Sequence, residues 1–289
     1  VEELLNRSFA SVLLSPGSYW VRMPEWSGGA LNREIQVPVP TETGDQESIN
    51  IDLDLPAPGA LILREQLLDR EGLSLAGLRG SKWTFTPEGE SVTERGRVIE
   101  FVLGQDSILL PPGAWRLQVS RGWHFSAQEM VVNVISGASQ VIDAMLIEEL
   151  PMIGWSSGEF HQHSAPSVDS EVSLRMRVLS NIAEGVGFMV PSDHDVLVDY
   201  PSIVRQLGYS ADIGAPITGL EISPRAGHLG AYGIIYDENA PEGAGGAPPL
   251  SKKIAEGEEG RPDIWAIRTI PELIEEARDR GADVIQLNQ

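Results

Sequence analysis

Residues 187–195 read Gly187-Phe188-Met189-Val190-Pro191-Ser192-Asp193-His194-Asp195. A short apolar run is followed at once by a polar triplet carrying a histidine. The run is the length of a buried strand, and the triplet then occupies its C-terminal end, where parallel α/β folds build their sites. On either side the periodicity is helical. In Ser170–Gly185, Val172, Met176, Leu179, Ile182 and Ala183 fall on one stripe, with Ser170 as the expected N-cap and Gly185 as the stop. Val196–Leu207 reads as a second helix ended by Gly208. Farther on come a strand at Ile217–Ile222, a helix at Pro271–Arg280 with Pro in its first turn and Gly281 after it, and a strand at Val284–Leu287. Strands alternating with helices predict a parallel α/β sheet or barrel from about residue 151. Glu238–Arg261, rich in Gly, Pro, Glu and Lys, holds no credible strand or helix and reads as a lid, an insertion or a disordered segment.

Upstream the pattern is different. Ser48–Leu53 alternates Ile49, Ile51 and Leu53 with polar neighbours, and Pro-Gly turns recur at Ser15-Pro16-Gly17, Pro56-Ala57-Pro58-Gly59 and Pro111-Pro112-Gly113. Short strands between frequent turns predict a β-sandwich. The segment also repeats itself. Leu13–Tyr19 matches Leu109–Trp115, Glu34–Val39 matches Glu129–Val134, and Ile49–Leu53 parallels Ile142–Leu146. Residues 1–54 therefore read as the second half of one β-module and residues 55–150 as a complete copy. In each, a tight turn leads into a strand whose aromatic residue packs inward. With Val1 in mid-module, the expectation is a chain that starts inside a longer protein.

Composition narrows the chemistry. The chain has 289 residues, 42% hydrophobic, enough for two or three globular domains with a sizeable core. No apolar run reaches the ~18–20 residues of a membrane span. The net charge of −21, from 42 acidic and 21 basic residues, repels nucleic-acid phosphates and argues against nucleic-acid binding. There is no cysteine, so disulfides and thiolate metal sites are excluded, and a metal must use His and carboxylate ligands. Four of the five histidines fall at three successive strand ends. His161 and His163 in Gly158-Glu159-Phe160-His161-Gln162-His163-Ser164 lie at i and i+2, on one face of an extended segment. His194 follows the strand of residues 187–190. Glu221 closes the strand Thr218-Gly219-Leu220-Glu221, where a buried carboxylate is costly unless paired or metal-bound, and His228 comes seven residues later. The fifth, His124, lies in the β-module and reads as structural.

The order Glu159–Ser170, Ser192-Asp193-His194-Asp195 and Leu220-Glu221…Gly227-His228 resembles the PHP (polymerase and histidinol phosphatase) superfamily of metal-dependent hydrolases, in particular its carbamate-esterase-like branch. Trp155, Phe160, His161, His163, Ser167 and Asp169 match that branch's opening motif. The resemblance covers roughly residues 152–289; the preceding module is sandwich-like, of the carboxypeptidase-regulatory or immunoglobulin-like kind. It implies all-β sandwich modules followed by a distorted (β/α)7 barrel with two or three Zn, Mn or Fe ions at the strand ends. By motif position, His161 and His163 would bind one ion, Glu221 would bridge two, Asp169 and His194 would bind a second, and His228 would reach a third. Asp193 and Asp195 would orient His194 or assist proton transfer, and His228 would serve as ligand or general acid. The implied reaction is hydrolysis of a phosphoester, or of a carboxyl-ester or carbamate, in a small-molecule substrate by a metal-activated water. The sequence departs from the pattern in three ways. Glu159 stands where Asp is usual. The strand at 284–287 continues Asn288-Gln289 rather than Asn-His-Pro. The late Asp-x-His pair has no counterpart, so the barrel reads as incomplete. No cluster of basic residues adjoins the motifs, although Arg175, Arg205 and Arg225 lie within reach in sequence. The sandwich-plus-hydrolase arrangement carries the expectation of an extracytoplasmic location. The competing reading is a degenerate PHP domain in a surface binding protein, with Trp20, Trp26, Trp83, Trp115 and Trp123 as a sugar platform.

Overall fold

The computed structural model describes residues 17–21, 33–37, 57–75, 77–88, 97–209, 217–240, 244–257 and 261–288. Strands β1 (Gly17–Val21) and β2 (Arg33–Val37) form an antiparallel pair. Seven residues of the predicted repeat, 17–19 and 34–37, therefore lie in an antiparallel pair like that of their counterparts in the second copy. The strand expected at Ser48–Leu53 and the matching part of the repeat lie outside the described residues, as does Trp26.

The second copy is a two-layer sandwich. Its strands are β3 (Gly59–Leu68), β4 (Ser81–Pro87), β5 (Val98–Val102), β6 (Gln105–Leu110), β7 (Gly113–Ser120), β8 (Gln128–Val134) and β9 (Ser139–Ile147). One sheet runs β6-β3-β9, with β3 and β9 parallel; the other runs β5-β4-β7-β8, all antiparallel. Period-two alternation sends Leu61 and Leu63 of β3, Trp83 and Phe85 of β4, and Trp115, Leu117 and Val119 of β7 into one core between the sheets. Trp115 follows the Pro-Gly turn as the repeat predicts, and it packs inward with its indole N–H donated to Pro111 O at 3.0 Å. The repeat also aligns β1-β2 with β7-β8. Gly17 faces Val37 and Gly113 faces Val134, a register two residues apart under the sequence match, so the same faces are kept.

From residue 158 the architecture changes. The elements are β10 (Gly158–Glu159), α1 (Leu174–Ala183), β11 (Phe188–Met189), α2 (Tyr200–Gln206), β12 (Gly219–Ile222), β13 (Leu229–Tyr232), β14 (Ser251–Ala255), β15 (Ile264–Ile267), α3 (Ile270–Asp279) and β16 (Val284–Leu287). Strands β10 and β11 are parallel, and a parallel bridge joins His194 to Glu221, so the tracks that end at His163, His194 and Glu221 lie side by side in one direction. The expectation of a wholly parallel sheet needs correction. β13 follows β12 through a short loop and therefore pairs with it antiparallel; β16 pairs with β13, giving the order β12-β13-β16. Among the described residues the strands after 150 form separate small sheets and no closed barrel.

Three element boundaries also differ. Helix α1 starts three residues later than expected. Ser173, not Ser170, caps it by accepting the Met176 N–H at 3.2 Å, while the Ser170 hydroxyl bonds to His163 O. Helix α2 starts at Tyr200 with Asp199 as its cap, because Val198 is held in a bridge to Gly219. The segment expected to lack structure contains β14, which pairs with β15, and a 3-10 turn at Ala244–Gly246.

The sandwich and the helical part share an interface. Phe101 and Leu103 pack against the cluster formed by Val178, Ile182 and Tyr209. Buried Arg121 donates through Nη1 to Arg79 O and Ile182 O, both at 2.9 Å, and to Gly80 O. Lys82 pairs with Glu184, and His124 packs edge-on over Gly185, whose φ of +70° closes α1. His124 is thus structural, as its position in the module suggested. Burial is the main cause that lowers its pKa, with Arg121 adding to it.

Candidate metal centre

The site is assembled at the ends of the parallel tracks. Beyond β10 the chain stays extended, and alternation puts His161 and His163 on one side with their rings stacked at 5.2 Å and 8°. Gln162, on the opposite side, is buried and accepts the Asn181 amide of α1 at 2.7 Å. The Arg177 guanidinium of α1 bonds to His163 O at 3.0 Å. Helix α1 thereby fixes the backbone between the two histidines.

The sheet β12-β13-β16 supplies the floor. Glu221, Gly230 and Gln286 lie in one row, and the next row on that face is His228 beside Asn288, joined by Asn288 N–H to His228 O at 2.9 Å. Gly230 leaves room for the Tyr232 ring, since a Cβ there would lie 2.1 Å from the Tyr232 oxygen. That hydroxyl donates to Phe160 O at 2.9 Å and ties the floor to the His161 segment.

Glu221 is the centre of the cluster and is 2% exposed. Its Oε2 lies 3.7 Å from His161 Nε2, 3.6 Å from His163 Nε2 and 3.3 Å from His194 Nδ1. Its Oε1 lies 3.4 Å from His228 Nδ1 and accepts the Asn288 amide at 2.7 Å. Asp169 closes the other side, with Oδ1 at 2.9 Å from His163 Nδ1 and Oδ2 at 3.5 Å from His194 Nε2. Hydrogen bonding from Ser167 is the first cause that depresses the Asp169 pKa, to about 2, with His163 adding to it. Three overlapping groups have ligand atoms within 4.8 Å of one another: His161, His163 and Glu221; His163, Asp169 and His194; His194, Glu221 and His228. Every residue expected from the sequence to be a metal ligand is in this cluster. The donor set, imidazole nitrogens and carboxylate oxygens without sulfur, suits Zn, Mn or Fe.

Asp193 and Asp195 are not in the cluster. The Asp193 carboxylate is fully buried and accepts the Ser164 N–H at 2.7 Å and the Ser164 hydroxyl at 2.8 Å; it makes no hydrogen bond to His194. Burial is the main cause that raises its pKa, opposed by the bonds from Ser164. Asp195, at φ +55°, accepts the Ser223 N–H at 2.8 Å, and the Ser223 hydroxyl sits 2.6 Å from His194 Nδ1. Asp195 therefore orients His194 through Ser223. Glu159 is exposed and accepts the His161 N–H at 2.9 Å. Ser223, Asn288, Tyr232 and Arg177 were not picked out by the sequence as site residues. Of the arginines, Arg175 and Arg225 are exposed, and Arg205 bonds to Ser202 on α2. Phe160 and Val168, neighbours of His161 and Asp169, are exposed apolar side chains at the rim. Of the tryptophans offered as a sugar platform, Trp83 and Trp115 are core residues, and Trp123 is 65% exposed.

No family model matches the chain, and no curated protein matches it. Among solved structures it is similar to the minor pilin GBS52 of Streptococcus agalactiae, at 14% identity over 34% of this chain and 47% of that one, with a TM-score of 0.26. It is also similar to the Bacillus anthracis TIE protein, at 13% identity over 40% of this chain and 20% of that one, with a TM-score of 0.24. The chain thus spans less than half the length of these proteins, and TM-scores of this size carry no argument about fold or function. No helix among the described residues is long and apolar enough to cross a membrane.

Proposed function

We propose that residues 151–289 form a metal-dependent hydrolase site of the PHP kind, acting on a phosphoester or on a carboxyl-ester or carbamate of a small molecule. The observation that carries this reading is the arrangement around Glu221: one buried carboxylate with imidazoles facing both of its oxygens and, among the described residues, no lysine or arginine ion-paired to it. Burying a carboxylate costs several kcal/mol unless cations or hydrogen bonds compensate it. A cluster of histidines around it supplies lone pairs, which divalent cations unite. When held by these residues, two or three such ions would supply Lewis acidity toward water and toward a phosphoryl or carbonyl oxygen.

The chain's own residues then have separable tasks. His161, His163, His194, His228, Asp169 and Glu221 would hold the ions. Asp169, bonded to His163 Nδ1, fixes that ring's orientation and presents its Nε2 toward Glu221. Ser223, held by Asp195, bonds to His194 Nδ1 and leaves that ring's Nε2 toward Asp169. His228, partly exposed at the rim, faces Glu221 with Nδ1; it would serve either as a ligand or, left unliganded, as the general acid toward a leaving group. The exposed Phe160 and Val168 beside the ligands favour a substrate with an uncharged, partly apolar portion. The pairing of this site with a β-sandwich is the basis for placing the protein outside the cytoplasm, which fractionation of the producing cells checks.

The test is a panel of p-nitrophenyl phosphate, bis-p-nitrophenyl phosphate and p-nitrophenyl acetate with added Mn²⁺ or Zn²⁺. Metal-stimulated turnover of at least one is expected. Glu221→Gln should lower it by on the order of 10³-fold, since Lewis acidity contributes several kcal/mol. Turnover that is unchanged in Glu221→Gln would place any activity elsewhere.

A further inference from the structure

We propose that Asn288 is the positioning residue that sets the orientation of the Glu221 carboxylate, and so decides which oxygen serves which metal position. The inference rests on the metal reading of the site and goes beyond it, because Asn288 is itself no ligand.

The two oxygens of Glu221 have different surroundings. Oε2 faces His161, His163 and His194 at 3.3–3.7 Å, whereas Oε1 faces His228 at 3.4 Å. A carboxylate that is to serve two ions would need this division kept. The last torsion of a glutamate is broad and nearly two-fold, so the side chain alone does not keep it. Among the described residues the Asn288 amide is the only side-chain donor hydrogen-bonded to this carboxylate, at 2.7 Å on Oε1. The carboxylate oxygen has two lone pairs; the amide takes one and leaves the other on the His228 side.

Asn288 is itself well anchored. Its backbone N–H bonds to His228 O at 2.9 Å, continuing the β13-β16 ladder by one row past Leu229 and Leu287. Register thus places Asn288 beside His228 and on the face that carries Glu221. The donor and the imidazole that Oε1 must serve move as one unit. An amide does not titrate, so Asn288 stays a donor at any pH at which the fold persists.

Cobalt(II) binding to the whole chain, followed by calorimetry and by the visible absorption of the bound ion, tests the proposal. The variants are Asn288→Leu, of similar size with no donor, and Asn288→Gln, which retains the amide. Asn288→Leu should weaken cobalt binding by about 10–100-fold, the usual effect of losing a partner of a metal ligand, and should shift the absorption band. The metal-free Asn288→Leu protein should melt somewhat lower, because Oε1 loses its donor, yet stay folded by circular dichroism at the assay temperature, and Asn288→Gln should recover most of the affinity. Parent-like affinity and spectrum in Asn288→Leu overturns the proposal. So does equal weakening in both variants, or a loss of metal-free stability that accounts for the weaker binding. If the parent chain binds no cobalt at all, the metal reading fails and this proposal with it. Binding that is indifferent to position 288 defeats this proposal alone.

Discussion

Asp193 and Asp195 flank His194 and act in different directions. Asp193 points into the protein, where it satisfies both donors of buried Ser164. Asp195 points along the site and reaches His194 through Ser223. The sequence marks both as candidates for orienting His194, and only Asp195 has the geometry. At Asp193 burial disfavours the charge, as its raised pKa records, so an amide should serve nearly as well as a carboxylate. Asp193→Asn is expected to cost about 1 kcal/mol or less. Asp193→Ala strands the Ser164 donors and should cost on the order of 3 kcal/mol. Urea unfolding of the two variants measures this; equal losses would mean that the charge, rather than the acceptor, is what Ser164 needs. The contrast between ligands and supporters also explains what was legible. Histidine is scarce here, with five in the chain, and a carboxylate at the end of an apolar strand is unusual, so four histidines and Glu221 stand out, while Asp169 follows only from the motif resemblance. Ser223 and Asn288 are residue types found at any loop or strand end. Their role comes from a register and a loop path that no local pattern encodes.

At the scale of elements, apolar periodicity located β11, β12, β16, α1 and α3 to within a few residues. Direction was not legible, because a strand's pattern does not say whether its neighbour runs parallel to it. The six residues between Glu221 and His228 are too few for a crossover helix, and that spacing is why β13 turns back on β12. β14 was missed because Ser251–Ala255 is a two-lysine edge strand in a polar segment. Helix α3 allows a pH test. Its first-turn Glu272 accepts the Thr269 N–H at 2.8 Å and pairs with Lys252 of β14, and the Lys252 bond is the first cause that depresses its pKa to about 2. The folded value lies below the ordinary 4.5, so the contribution is present above that pH and is lost as the pH falls from 4.5 towards about 2. Thermal melts should show Glu272→Gln less stable than the parent at neutral pH, with the gap closing across that window. A gap that persists in strong acid would assign the effect to something other than the carboxylate's charge.

Across the whole molecule, the two-part organisation and the sandwich core follow from alternation and turns, while the contact between the parts does not. Arg121 lies in the sandwich, yet it bonds to Ile182 O of α1 as well as to Arg79 O and Gly80 O, and burial lowers its pKa. It fastens to the sandwich the helix that holds the His161–His163 segment through Asn181 and Arg177. Arg121→Met is expected to destabilise the protein by about 1–3 kcal/mol, because Gly80 O loses its guanidinium donor while Arg79 O and Ile182 O keep those from Tyr209 and Gly185. Denaturant melts check this, and a change within half of 1 kcal/mol, the usual range of a surface substitution, would show that the guanidinium is dispensable.

The account depends on a metal centre around Glu221. The most direct measurement is elemental analysis of the chain after purification without chelators and dialysis against limiting Zn²⁺ or Mn²⁺, beside a His161→Ala/His163→Ala variant. The account predicts at least one equivalent of tightly held metal in the parent and a loss of at least one equivalent in the variant. A metal-free parent, or a variant that retains the parent's full complement, would contradict it.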